Sequence, residues 1–425
     1  MSEAGRHPFA FRDFRLYWIA RLSSTIAQMS MVIVIGWQVY DIARRTMDLH
    51  HAALQLGLIG IVQFVPLFVL TLVTGWTADR IDRRWIARAT ISLEIFCAVV
   101  LGWLSWTGSI SLLALFSVAA LLGVARAFAM PALSALSPNL VPREVLPRAI
   151  ALSSISWQSG AVAGPAVGGY LYALAPHLPY AVAAGLFALS LTCMFLIRPI
   201  ERTRIGDAHP WRQMIDGLHY VRRNRLVLGA ISLDLFAVLL GGATAMLPVF
   251  ARDILHVGPT GLGHLRAAPA VGATLTALYF AWRPLKHDVG IKMLAAVAVF
   301  GAATIVFGVS RFMPLSLACL ALLGAADMFS VYVRQSLIQL YTPNEMRGRV
   351  GAVSSLFISA SNELGEAESG FLAALIGPVA AVVGGGVGAI LVTLFWAKWF
   401  PELRLARSFD APNLGDTSKA METTT

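Results

Sequence analysis

Glu363, Glu366 and Glu368 stand near the middle of an otherwise apolar stretch long enough to cross a bilayer. An ionised carboxylate at that depth costs roughly 2.5–3.5 kcal/mol even on a lenient insertion scale, so acids found there need a chemical reason. On a helix, Glu363 and Glu366 share a face, three residues apart, whereas Glu368 points elsewhere. Two like charges desolvated side by side repel, and taking up a proton relieves the repulsion. Reversible proton binding is therefore one chemistry open to the pair. A structural ion-pair or hydrogen-bond network is a second, and contact with a substrate is a third. Other apolar stretches carry Arg21, Arg126, Asp234, Asp327 and Arg334. Arg334 follows Asp327 by seven residues and so lies on the same helix face. Singly, each charge could be half of an inter-helix ion pair. Collectively they predict a polar cavity, with Asp234 and Asp327 as further proton carriers after the glutamates.

The elements that must hold these charges are membrane helices. Hydrophobic residues make up 57% of the chain and charged residues 13%, against roughly 45–50% and 25% in soluble domains. So few charges cannot cover a soluble protein of 425 residues. Twelve stretches hold the roughly 20 apolar residues that a bilayer-spanning helix needs. They are centred near residues 28, 65, 96, 122, 163, 188, 238, 271, 300, 326, 362 and 388. The expected fold is an all-α polytopic membrane protein with two pseudo-symmetric six-helix halves.

The two halves are visible as an ungapped internal repeat at an offset of 201 residues. From Ala120 to Leu174, nineteen of fifty-five positions match those from Ala321 to Leu375. The pairs include Gly123/Gly324, Pro142/Pro343, Glu144/Glu345, Arg148/Arg349, Gly164/Gly365 and Gly169/Gly370, turn residues and charges that no hydrophobic average would supply. Two parallel halves are the architecture of an alternating-access carrier, with its site between them. The repeat also sharpens the reading of the charges. Arg126 is equivalent to Asp327, so the two are expected to face each other across the central axis. Glu363, Glu366 and Glu368 replace Val162, Pro165 and Val167, so one half alone carries the acids. The expected divisions are residues 1–198 for the first half, a cytoplasmic connector at 199–225, the second half at 226–400 and a disordered tail at 401–425. Within the connector, apolar residues from Trp211 to Val221 recur with the period of an amphipathic surface helix.

Orientation follows from the basic residues. With both termini in the cytoplasm, twenty-five Lys and Arg fall in cytoplasmic loops and tails, four outside and four within spans. The net charge of +10 is thus a topology signal, and contact with the anionic inner leaflet accounts for it without nucleic acid. Cys97, Cys193 and Cys319 fall inside spans and read as small core residues. No Gly-x-x-x-x-Gly-Lys-Ser/Thr phosphate loop occurs, so ATP is not expected to drive transport through this chain. His50 and His51 near Asp48 could form an external cation site, although no metal, cofactor or catalytic constellation is expected overall.

Between the second and third spans the chain reads Gly75-Trp-Thr-Ala-Asp79-Arg80-Ile-Asp82-Arg83-Arg84. Its acid can face a helix N-terminus and its arginines can bind carboxylates in the cytoplasmic layer, or simply anchor the loop. Glu144 with Arg148 and Glu345 with Arg349 are spaced as favourable helical ion pairs. Joined to Asp79 and Arg83, they could latch the cytoplasmic ends of the halves. Gly160, Gly164 and Gly168, beside Pro165 and Gly169, form a smooth ridge for close helix packing, with a bend favoured at the proline.

The Gly75–Arg84 loop resembles the signature loop of the major facilitator superfamily, with Asp82 where that motif has glycine. The glycine ridge resembles the motif of its exporting members. Phe14-Arg15-Leu16-Tyr17-Trp18, Leu265-Arg266-Ala267-Ala268-Pro269 and Thr342-Pro343-Asn344-Glu345-Met346-Arg347-Gly348-Arg349 are similar to the bacterial exporter branch that includes enterobactin exporters and macrolide efflux proteins. That resemblance implies the major facilitator fold and a cavity lined by the first, fourth, seventh and tenth spans. It also implies a cytoplasmic gate at the loop motif and residence in the bacterial cytoplasmic (inner) membrane. The expected function is a secondary active, proton-coupled exporter of a small amphiphilic molecule such as a siderophore, macrolide or other drug, acting as a monomer. An importer or lipid flippase of the same fold, or a non-transporting membrane sensor, is the alternative.

Overall fold

The computed structural model describes residues 7–80, 82–136, 139–142, 145–199, 210–283, 285, 287–343, 346–407 and 409. Six long helices come first: α1 (Arg12–Thr46), α2 (Leu49–Arg80), α3 (Arg83–Trp106), α4 (Leu112–Leu136), α5 (Leu146–Leu174) and α6 (Leu178–Leu196). A short α7 (Pro210–Arg223) occupies the expected connector helix. The second half holds α8 (Arg225–Leu240), α9 (Leu247–Val249), α10 (Gly258–Trp282), α11 (Val289–Val309), α12 (Met313–Tyr341), α13 (Arg347–Ile376) and α14 (Pro378–Trp399), before α15 (Pro401–Arg404). Among the described residues, nine segments are long and apolar enough to cross a membrane, and α5, α10 and α13 are not among them. Glycine and an internal proline in α5 and α10, and three glutamates in α13, lower the hydropathy of these helices, and all three also pack at the seams between the halves.

Local chemistry sets several helix ends. Asp82 caps α3, its carboxylate accepting from the Arg84 backbone N–H at 3.0 Å. The residue that departs from the loop motif therefore starts the third span. Asn224 caps α8 through the Val227 N–H at 3.1 Å. Gly377, at φ +87°, stops α13, and Pro378 opens α14.

The seventh span is not one helix. α8 ends at Gly241, a 3-10 turn covers Ala243–Met246, and after α9 the chain takes a π-helical turn over Phe250–Ile254. The span expected near residue 238 is thus broken at Gly241–Gly242, where glycine removes the side chain that would clash. A Cβ on Gly242 would sit 2.5 Å from the Gly365 carbonyl oxygen of α13.

The halves meet along two seams, α2 against α13 and α5 against α10. The repeat explains both. Gly164 packs on α1, where an added Cβ would lie 2.5 Å from Met29 Cβ, and its equivalent Gly365 packs on α8, 2.9 Å from the Val238 oxygen. Gly169 meets α10, 2.5 Å from the Pro259 oxygen, and its equivalent Gly370 meets α2, 2.3 Å from Gly57 Cα. Each shared glycine does the same packing task in its own half. Gly160 and Gly168 extend the ridge against Thr25 and Ser30 of α1, and Pro165 sits inside an α5 that continues through it.

Both ends of the described chain lie at one face of the bundle, the terminal face; the α1–α2 turn lies at the opposite, distal face. The tail, expected to be disordered from 401, in fact docks at its start. Leu403 is fully buried, and the Ala406 and Arg407 carbonyls accept from the Gly290 and Asp288 N–H groups at 3.0 and 2.6 Å. Residues 410–425 lie outside the described part.

Candidate transport cavity

A cavity of about 610 Å³ lies between the halves. α1 contributes Gln28, α2 Gln63, α4 Arg126 and α5 Trp157 and Gln158; the second half adds Arg266 from α10, Asp327 from α12, and Glu363 and Glu366 from α13. The broken seventh span supplies Gly241, Gly242, Thr244 and Pro248. Most of the remaining wall is apolar. The arrangement suits a molecule with a large apolar body and a few polar groups.

Two ion pairs organise the polar part. Arg126 Nη1 donates to Glu363 Oε1 at 2.8 Å and to Gln63 Oε1 at 3.3 Å. The pair crosses between halves, with Glu363 almost fully buried and Arg126 about a third exposed (7% and 35%). Arg266 Nη1 donates to the Thr244 carbonyl of the broken span at 3.3 Å, and its Nη2 lies 3.6 Å from Glu366 Oε1. This second pair is looser and more exposed. Glu368 does not line the cavity; its carboxylate accepts from Ser369 Oγ at 3.5 Å.

In this conformation Arg126 is paired with Glu363, not with Asp327, although both Arg126 and Asp327 line the cavity. The seam sets the choice, because α13 lies against α2 and carries Glu363 across to the first half. Asp327 faces its own half, where the neighbouring charges are Asp234 and Arg334. Arg334 and Asp234 form an ion pair buried between α12 and α8, and neither lines the cavity. Arg21 also lies outside the lining. It donates to Tyr17 Oη at 2.8 Å, and Tyr17 in turn donates to the Leu133 carbonyl at 3.1 Å. Of the five expected cavity charges, the structure brings two into the wall.

Glu94 is a buried acid outside the internal repeat and outside the charged spans singled out by sequence. It sits in α3, 1% exposed, and accepts a hydrogen bond from the Gln28 side-chain amide of α1. A lone acid between Leu93 and Ile95 was the available signal. Gln28, Gln63 and Gln158 were overlooked as well, since uncharged amides in apolar runs stand out less.

Beyond the cavity on the distal side, contacts tie the halves. Arg252 pairs with Asp41 at 2.9 Å, Arg44 with Asp253 at 3.4 Å, and Tyr40 with Asp253. Tyr170 and His264 join α5 to α10 at 2.9 Å, and His50 Nδ1 meets the Ala374 carbonyl of α13 at 3.0 Å. His50 is thus turned toward the seam, while His51 pairs with Asp48 at 2.7 Å. Among the described residues no group of three His, Cys, Asp or Glu is arranged to hold a metal.

At the terminal face, Arg84 pairs with Asp82 at 2.6 Å and donates to the Ile197 carbonyl at 3.2 Å. Arg83 opens α3 and Arg148 is exposed on α5. Arg349 pairs with Asp216 of the connector helix α7 at 3.1 Å, not with a residue of the first half. The other latch residues, Glu144 and Glu345, lie outside the described residues, as do the surroundings of Gly75 and the side chains of Asp79 and Arg80.

Residues 4–413 match the family described as transmembrane secretion effector. The chain is 28% identical over 400 residues to the enterobactin exporter EntS of Escherichia coli O1:K1, covering 93% of each, and equally similar to EntS of Citrobacter koseri. Solved structures share the fold at low identity. A peptide transporter POT aligns with a TM-score of 0.74 at 13% identity, covering 94% of this chain and 96% of that one. A bacterial homologue of the human lysosomal transporter Spinster, inward-facing and occupied, aligns with a TM-score of 0.72 at 13% identity, covering 94% and 99%. With two repeated helical halves around a cavity and a family match over nearly its whole length, the chain belongs to the transmembrane secretion effector family of major facilitator transporters.

Proposed function

We propose that this transporter exports a small amphiphilic molecule, of the siderophore or drug type, in exchange for protons bound at Glu363 and Glu366. The observation that carries the reading is the Arg126–Glu363 pair. It joins the halves across the cavity, so any motion that separates them leaves a buried carboxylate without its cation. Proton uptake is the least costly answer to that loss. Glu366, on the same face and loosely held by Arg266, is the second carrier. Similarity to enterobactin exporters supports the outward direction.

The basic-residue bias supports a cytoplasmic terminal face, in the inner membrane of a bacterium. The distal ionic contacts then close the outer side, and the cavity is presented to the cytoplasm. Asp79, with the Glu144–Arg148 and Glu345–Arg349 pairs, closes the cytoplasmic side in the opposite state. No nucleotide is consumed, and the monomer is the working unit.

The test begins with metabolites inside and outside a deletion strain and its parent. An amphiphile retained inside the deletion strain identifies the substrate; equal distributions rule out export. Proteoliposomes with an imposed pH gradient then test the coupling. The Glu363→Gln/Glu366→Gln double variant should fail to accumulate substrate while still exchanging it passively. Wild-type accumulation by that variant would make the two acids structural.

A further inference from the structure

Glu94 has no role in the reading above, yet it is one of the most buried charges in the molecule. Its hydrogen-bond partner is an uncharged amide, Gln28, whose side chain lines the cavity. The cation whose field reaches it is Arg126, on the neighbouring α4. On its own helix the next turn carries only the buried thiol of Cys97. Arg126 therefore has two carboxylates around it: Glu363, which it holds now, and Glu94, which it does not. Around Glu363 the charged groups are Arg126, Glu366 and Arg266.

The two acids differ in what body they belong to. α3 and α4 pack against one another inside the first half, so the spacing of Glu94 and Arg126 is kept when the halves rock. Glu363 is on α13, in the other half, and its bond to Arg126 crosses the α2–α13 seam. Parting that seam stretches the Arg126–Glu363 pair and leaves Arg126 as near to Glu94 as before. An arginine has a long, flexible stem and remains charged, so it follows the remaining carboxylate rather than staying unpaired. The Gln28 amide keeps Glu94 available as an acceptor on the cavity side in the meantime.

We propose that Arg126 is a two-position switch, leaving Glu363 for Glu94 when the α2–α13 seam parts. Glu363, then a carboxylate without a cation, takes one proton from the water admitted to the cavity. When the seam re-forms, Arg126 returns and that proton leaves to the water on the side then open. The switch rests on the proton-coupling reading above and adds the residue that makes proton uptake conditional on conformation. Glu94 is a positioning residue in this scheme, acting on the proton site through Arg126.

Spin labels at Thr107→Cys and Phe312→Cys, in exposed distal turns of the two halves, report their separation in the full chain without any substrate. In the wild type the long-distance population should grow as pH falls. Glu363→Gln should favour long distances at every pH. Glu94→Gln, by removing the second seat of Arg126, should favour short distances by at least about fivefold, the lower end of typical coupling between sites. The double variant should lie between the two and lose its pH response. Should Glu94→Gln fail to fold, Gln28→Lys gives Glu94 a cation of its own and should shift the population the same way. Wild-type distances and pH response in Glu94→Gln, or in Gln28→Lys where that variant stands in, would overturn the switch. If Glu363→Gln abolishes the pH response while the Glu94 variant behaves as wild type, only the switch fails. If the wild type itself shows no pH response, the coupling reading fails with it.

Discussion

The α5–α10 and α2–α13 seams are built from the same repeat but carry different chemistry. Each closes on a shared glycine, Gly169 against α10 and Gly370 against α2, with backbones approaching too closely for a Cβ. One and two turns earlier, the first seam presents Pro165 and Val162 where the second presents Glu366 and Glu363. The packing half of the design was kept in both copies and the charged half in one. A seam that only has to fit can be symmetric. A seam that also has to register a change of state needs a group whose energy depends on that state, and one such seam is enough.

The largest effect should come from orphaning the charge at the asymmetric seam. Arg126→Met leaves Glu363 buried without a cation, a loss of about 3–5 kcal/mol for a fully buried pair and toward the lower figure here because Arg126 is partly exposed. Unfolding in detergent should show it, and Arg126→Met with Glu363→Gln should recover most of it. An unchanged transition in the single variant would mean that the seam does not depend on the pair.

The glycines test the symmetric part. Gly169→Ala and Gly370→Ala should each cost about 1–3 kcal/mol, because the atoms in the way are backbone and cannot turn aside. Similar losses sustain the equivalence of the seams. A tolerated alanine at one position only would break it.

A new charge in the silent seam should sharpen the comparison. By the repeat, Val162 stands to Asp327 as Glu363 stands to Arg126. Val162→Arg should therefore be more stable than Val162→Glu, by about 1–2 kcal/mol on the scale of polar contacts between membrane helices. Equal stabilities would show that the pseudo-symmetry stops at the backbone. The smallest effect belongs to the terminal face, where Asp216→Ala removes an exposed pair with Arg349 and should cost only about 0.2–0.5 kcal/mol. A loss above 1 kcal/mol would indicate a fastening role for α7.

Hydropathy made the spans legible, and the repeat made the halves legible, because both are properties of residue type and order. The repeat even marked which glycines would sit in close contacts, since Gly164, Gly169, Gly365 and Gly370 stay glycine for a reason that acts in both halves. It also placed Arg126 and Asp327 on equivalent helices, and both do reach the cavity. Their pairing was another matter. Symmetry assigns depth and helix but not which neighbour leans closer, and a helix from the opposite half brought Glu363 to Arg126.

What the sequence determined by itself is a two-fold membrane bundle with acids concentrated in one copy of its fifth helix. Helical periodicity and the cost of charge in lipid require that much. Only the tertiary structure decided that Arg126 joins the halves through Glu363, that Asp234 and Arg334 are sealed away from the cavity, and that Glu94 waits behind Gln28. Each of these depends on contacts between residues from 66 to 237 positions apart, set by helix packing rather than local order. The break at Gly241–Gly242 falls between the two cases. The glycine pair was in plain view, but its meaning came from the α13 backbone that presses against it.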